Sequence, residues 1–136
     1  MSRYEELIGA LKKVVAPDDV IGAMICEIKN KELPTDPKYI HGAIMQLKTQ
    51  YPDLLKDFVF FEGNSFPFSD LLERVLFRLE SSLILSTLNP SYEKYNTVNC
   101  NPQIVETFRS KFSEEDYQRI KEMAKQFEAL VNEQLH

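Results

Sequence analysis

The chain has 136 residues, of which 43% are hydrophobic and 27% charged, and its 21 acidic and 16 basic side chains give a net charge of −5. A chain of this length and composition is expected to form one soluble domain, residues 1–136, with a core that needs neither a metal nor a disulfide. The acidic balance argues against a generally basic nucleic-acid-binding protein, because phosphate binding then depends on a local basic patch.

The sequence lacks the motifs of nucleotide enzymes, metal sites and membrane spans. Its four glycines are too far apart to form a phosphate-binding loop. Cys26 and Cys100 show no metal-ligand or redox-pair spacing, so each is predicted to be an inert thiol. No apolar run approaches the roughly 20 residues of a membrane span. With no signal peptide recognised, these features predict a cytoplasmic protein without a metal or cofactor.

The first part of the chain is predicted to be helical. A capping box at Ser2 begins a helix that ends before Pro17, and this proline begins a second helix that runs to about Asn30. A break follows at residues 33–37. Within it, Asp36 is the predicted cap of a third helix with one apolar face.

The middle of the chain is predicted to combine strands with one helix. The aromatic run Phe58–Phe61, followed by a glycine, predicts a short strand. Ser69 is the predicted cap of a helix over residues 70–81, whose apolar side chains form a narrow stripe. Residues 83–88 and 92–98 are predicted to be the two strands of a hairpin.

Two C-terminal helices are predicted over residues 101–136. Asn101 caps the first, and Pro102 occupies its first turn. Ser113 caps the second, whose apolar residues recur at heptad-like spacing. The N- and C-terminal helices could therefore pack on each other within one chain or exchange in a homodimer, and the sequence leaves both arrangements open.

The order of these elements is similar to that of a known DNA-binding module. Strand, helix and hairpin follow one another over residues 57–100, and this order resembles a winged helix in which residues 83–98 are the wing. The segments Pro67–Leu72, Leu79–Ile84 and Tyr92–Val98 also resemble Panacea-type antitoxin domains. The resemblance implies a small bacterial protein that neutralises a partner. The predicted fold is a mostly helical α+β domain, with a winged-helix-like core and flanking terminal helices.

The outer face of the 70–81 helix carries the predicted partner-binding residues. Arg74, Phe77 and Arg78 lie opposite, or nearly opposite, the apolar stripe. An aromatic side chain beside arginines is the composition enriched at interface hot spots. We therefore predict that these residues contact a protein partner. The alternative is that a terminal helix covers Phe77.

A dimeric winged-helix DNA-binding transcription regulator is the alternative function. In that case Arg74, Arg78 and Lys94 would contact phosphates. However, residues 57–100 contain 3 basic and 6 acidic side chains, a net charge of −3. This local acidity disfavours DNA as the partner.

No enzymatic activity is predicted. His41 lies in the third helix without a serine, cysteine or carboxylate in a recognised arrangement, and His136 is the last residue. The function predicted from the sequence is therefore a non-enzymatic protein–protein interaction module, antitoxin-like or regulatory.

Overall fold

The computed structural model describes residues 16–29, 32–62, 66–82, 84–85, 94–96 and 100–135. Within these residues the protein is mostly helical, with five helices and four short strands, which agrees with the predicted α+β class. In chain order they are α1 (Pro17–Glu27), β1 (Glu32–Pro34), α2 (Pro37–Gln50), β2 (Phe61–Glu62), β3 (Pro67–Phe68), α3 (Asp70–Ser81), β4 (Lys94–Asn96), α4 (Pro102–Arg109) and α5 (Glu114–Leu135). The predicted helix that begins at Ser2 lies outside the described residues.

Polar caps begin four helices where the sequence predicts them. Asp36, Ser69, Asn101 and Ser113 each accept a hydrogen bond from a backbone N–H two or three residues later, with distances of 3.0 to 3.2 Å. Each bond satisfies a donor that has no partner within the helix. The predicted starts of α2, α3, α4 and α5 are therefore confirmed. Helix α1 begins at Pro17 as predicted and ends at Glu27, before the predicted Asn30.

Helix α1 forms the centre of the hydrophobic core. Seven consecutive residues, Val20–Cys26, are buried. The helix contacts α3, α4 and α5, and α2 packs against α5. A helix surrounded in this way has apolar side chains on all its faces. At Gly22 even a methyl group would overlap the ring of Phe108 from α4, so glycine permits the close approach of these two helices.

The first small sheet lies immediately before α3. Strand β2 pairs antiparallel with β3, with Phe61 opposite Phe68. The prediction of a strand over Phe58–Phe61 is thus correct only at its last residue. Phe58 is completely buried in the core instead. Residues 63–65, which follow β2 in the chain, lie outside the described residues.

The second small sheet joins distant parts of the chain. Strand β4, inside the predicted 92–98 strand, pairs antiparallel with β1, and Leu33 is opposite Tyr95. The prediction of a break at residues 33–37 is therefore wrong at its start. Leu33 is buried, and Pro34 is tolerated because it occupies the end of a short strand. Of the predicted hairpin partner, residues 83–88, only 84 and 85 are described, and they form no strand.

The two cysteines lie in contact. Cys26 is in the last turn of α1, Cys100 precedes α4, and their Sγ atoms are 2.7 Å apart although 74 positions separate them. From their spacing in the sequence, each cysteine is predicted to be a separate thiol. The structure shows that the two thiols are in contact, because the number of residues between two positions does not determine their distance in the fold.

Candidate functional site

Helix α3 has one buried face and one exposed face. Its buried residues are Leu72, Val75, Leu76 and Leu79, as the apolar stripe predicts. The spacing of three and four places these side chains on one side of the helix. Arg74, Phe77 and Arg78 are exposed, so the outer face predicted from the sequence is present in the structure.

Phe77 is the most exposed large hydrophobic side chain among the described residues. It retains 68% of its accessible surface, compared with 58% for Phe61 and 38% for Met45. Neither of the described C-terminal helices covers it. With Glu73, Arg74 and Arg78 it lines a shallow surface depression of about 300 Å³. Because Glu73 and Arg74 are four and three positions before Phe77, all share this face of the helix.

Arg78 is held by a carboxylate that is 60 positions away in the sequence. Its guanidinium forms a bidentate ion pair with Asp18 in the first turn of α1, with Nε–Oδ2 at 2.5 Å and Nη2–Oδ1 at 2.7 Å. Planar, two-bond pairing of this kind fixes the orientation of the guanidinium. The pair joins the last turn of α3 to the first turn of α1. It also offsets the positive charge of Arg78.

Arg74 differs from Arg78 in its surroundings. It is exposed and forms no ion pair with any other residue that the structure describes. Its charge is therefore available to a partner. Lys94, the third residue of the predicted phosphate-binding set, lies in β4 opposite Pro34, and the structure describes only its backbone.

Glu73 connects the exposed face of α3 to a buried histidine. The His41 side chain of α2 is completely buried, and its Nε2 is 3.0 Å from Oε2 of Glu73. The backbone N–H of Ser69 donates to Nδ1 at 3.0 Å, so Nδ1 is the acceptor and Nε2 carries the proton of the neutral ring. The ring also stacks on Phe68, with centroids 4.5 Å apart. These contacts fix the start of α3 against α2.

The environment of His41 favours its neutral form. Desolvation by burial lowers the pKa of His41 below its usual 6.5, and the hydrogen bond and negative charge of Glu73 oppose that shift. The histidine does not activate the nearby serine. It accepts a bond from the backbone of Ser69, whose hydroxyl caps α3 at Leu72. The arrangement is therefore a structural hydrogen-bond network.

No protein-family model, curated protein or solved structure matches this chain.

Metal and membrane sites are also not found in the part of the chain that the structure describes. There, no three His, Cys, Asp or Glu side chains lie close enough together to hold a metal ion. None of the described helices combines the length and the apolar character that crossing a membrane requires.

The sequence missed two residues that shape the α3 surface. Asp18 is 60 positions from Arg78, and His41 is 32 positions from Glu73. Neither has a local pattern that identifies its partner, because ion pairs across a fold depend on how the helices pack.

Proposed function

We propose that this protein is a non-enzymatic protein–protein interaction module, antitoxin-like or regulatory, whose binding surface is the outer face of α3. Arg74, Phe77 and Arg78 are its central residues. The observation that carries the proposal is the 68% exposure of Phe77 on a helix whose opposite face buries Leu72, Val75, Leu76 and Leu79. Full burial of an exposed phenylalanine side chain is favourable by roughly 1.5–3 kcal/mol of transfer free energy. A partner that covers Phe77 would gain a large part of this free energy.

The side chains around Phe77 are held in place before any partner binds. Arg78 is paired with Asp18, and Glu73 is hydrogen-bonded to the buried His41. A surface that is already ordered loses less conformational entropy on association than a mobile one. This ordering supports a binding role for the face.

The charges of the surface indicate the chemistry of the partner. Arg74 has no ion-pair partner among the described residues, whereas Arg78 already has one. A partner segment that places an apolar side chain on Phe77 and a carboxylate beside Arg74 would therefore match this face. A guanidinium and a carboxylate form two parallel hydrogen bonds, which gives such a contact specificity.

A winged-helix-like core is part of the proposal. The antiparallel pairing of β1 with β4, which follows α3, supports a core in which a small sheet accompanies this helix. In the proposed core the first strand is β1, which lies outside the predicted segment 57–100, and not Phe58–Phe61. The connection between α2 and α3, residues 51–69, is longer than the 3–4-residue turn of a helix-turn-helix.

A dimeric winged-helix DNA-binding regulator is the second candidate, and the same strand pairing favours it. The charges of α3 oppose it. Asp70, Glu73 and Glu80 outnumber Arg74 and Arg78, and Arg78 is already paired with Asp18. Since non-specific DNA affinity depends on cations that neutralise phosphates, we expect no DNA binding in a filter-binding assay at low salt.

The experiment that tests the proposed function compares two phenylalanine variants. Wild type, Phe77→Ala and Phe61→Ala are immobilised, and proteins captured from the native host are identified. The control Phe61 is 58% exposed but lies on β2. We expect a partner that wild type and Phe61→Ala retain and that Phe77→Ala loses at least ~10-fold, as at an interface hot spot.

A thermal melt of the same three proteins separates binding from folding. Because Phe77 is exposed, Phe77→Ala should change the melting temperature Tm by less than ~2 °C. A capture pattern unchanged by Phe77→Ala, or a large fall in Tm, would show that Phe77 is not a partner contact.

A further inference from the structure

The contact between Cys26 and Cys100 places two thiols at nearly bonding distance. Their Sγ atoms are 2.7 Å apart, whereas a disulfide has an S–S length of about 2.05 Å. A movement of less than ~1 Å would close the remaining distance. They are the two cysteines of the chain, so no other intramolecular disulfide can compete.

The two thiols differ in their access to solvent. Cys26 is 7% exposed in the last turn of α1, and Cys100 is half-buried, with its Sγ 4.0 Å from the carbonyl oxygen of Ile84. Next to Cys26, Glu27 accepts a hydrogen bond from the Tyr117 hydroxyl, which fixes the end of α1 against α5. An oxidant in solution therefore reaches Cys100 before Cys26.

We propose that Cys26 and Cys100 are a reversible redox pair that forms an intramolecular disulfide on exposure to a hydroperoxide. The thiolate of Cys100 attacks the hydroxyl oxygen of the hydroperoxide and the O–O bond breaks. Cys100 becomes a sulfenic acid, and the leaving alkoxide takes up a proton from water to give the alcohol. Cys26 then attacks the sulfenic sulfur. The S–S bond forms, and the departing hydroxide leaves as water with the Cys26 proton.

The overall step oxidises two thiols and reduces one hydroperoxide to an alcohol and water. A low-molecular-weight thiol reverses it by thiol–disulfide exchange. In a reducing compartment the thiol form prevails, and disulfides formed there are transient and redox-sensing. The proposal thus makes the pair a modification site that responds to peroxide.

The disulfide would close a long covalent loop. The loop runs from the end of α1 to the residue before Asn101 and includes β1, α2, α3 and β4. Cross-linking residues 74 positions apart restricts the unfolded chain strongly, with little change to a fold that already places the two sulfurs together. The oxidised protein should therefore be more stable than the reduced protein.

Intact-mass measurement tests the proposal directly. Reduced wild type is treated with hydrogen peroxide, denatured and alkylated without reductant. We expect a monomer that has lost two hydrogen atoms, carries no alkyl group, and recovers both thiols on treatment with dithiothreitol. Its Tm should rise by on the order of 10 °C. Two alkylated thiols, a covalent dimer or an irreversible oxyacid on one cysteine would each overturn the proposal.

Two further measurements test the pair, one on wild type alone and one on single cysteine variants. The equilibrium constant for disulfide formation with oxidised glutathione is measured for wild type, once folded in buffer and once unfolded in urea. The constant of the folded chain should be at least ~10-fold larger, because folding holds the two thiols together. Equal constants would contradict this. In single variants, peroxide should oxidise Cys100 of Cys26→Ser faster than Cys26 of Cys100→Ser, and equal rates would exclude Cys100 as the site of attack.

Discussion

Arg78 and Asp18 join the last turn of α3 to the first turn of α1 through two hydrogen bonds of 2.5 and 2.7 Å. Arg78 belongs to the exposed face that contains Phe77. The side chains of Arg78 and Asp18 remain partly exposed, at 49% and 34%. Water and salt therefore screen their attraction, and the pair orders the binding face more than it stabilises the fold.

Asp18→Asn should leave the fold intact but release Arg78. We expect Tm to change by less than ~3 °C, because exposed ion pairs contribute little to stability. The affinity for a partner captured through Phe77 should fall, because Arg78 is no longer ordered before binding. Asp19→Asn is the matched control, since Asp19 is in the same helical turn but pairs with Lys111 at 3.6 Å. Equal effects of both substitutions on binding would show that the helix dipole, and not the pair with Arg78, is responsible.

Gly22→Ala should destabilise the protein by about 1–3 kcal/mol, the usual cost of overpacking. The added methyl would overlap the ring of Phe108, which anchors α4 on α1. Urea denaturation measures the free energy of unfolding. The double variant Gly22→Ala, Phe108→Leu should recover part of the lost stability, because the smaller leucine leaves room for the methyl group. Gly42→Ala is the control: Gly42 borders a surface cavity, and alanine there should be neutral or stabilising because it favours the helix.

Buried His41 should make stability fall in mildly acidic solution. Its pKa is lowered in the folded protein, so between pH 6.5 and that lower value the unfolded chain binds the extra proton. The stabilisation is complete above pH 6.5 and is lost as pH falls toward the folded pKa, at up to about 1.4 kcal/mol per pH unit.

Urea denaturation between pH 7.5 and 4.5 measures this loss. His41→Asn should flatten the pH dependence, whereas His136→Gln should retain it. Glu73→Gln removes the charge that raises the pKa of His41, so the loss should extend to lower pH. A wild-type profile that is flat over this range would contradict the role assigned to His41.

Asp53 should contribute a separate loss in stronger acid. Its bidentate ion pair with Arg119, at 2.6 and 2.7 Å, lowers the pKa of Asp53 from 3.8 to about 2. The stabilisation is therefore present above pH 3.8 and is lost as pH falls through about 2. Because the Asp53 side chain is 61% exposed, solvent screening limits it to less than ~1 kcal/mol. Asp53→Asn should remove this stabilisation and leave unchanged the loss of stability that His41 causes below pH 6.5. The pH dependence of Tm measures both.

Much of the helical structure could be predicted from the sequence. The caps at Asp36, Ser69, Asn101 and Ser113, and the buried stripe of α3, appear where the local pattern places them. A cap acts over two or three residues, and a stripe follows from the helical period of 3.6. Both are determined within a single element. The same periodicity places Phe77 opposite the buried stripe, but it leaves open whether a terminal helix covers that face. The 68% exposure of Phe77 is known only from the structure.

Only the tertiary structure decided which distant residues meet. The β1–β4 ladder, the Arg78–Asp18 pair, the His41–Glu73 bond and the contact of the two cysteines all join positions that no local pattern connects. Bringing such positions together costs loop-closure entropy and depends on the packing of every element between them. The sequence by itself therefore determined where the helices begin and which faces they bury. The packing of the helices and short strands against one another decided which charges are neutralised, which histidine is buried and which thiols can react.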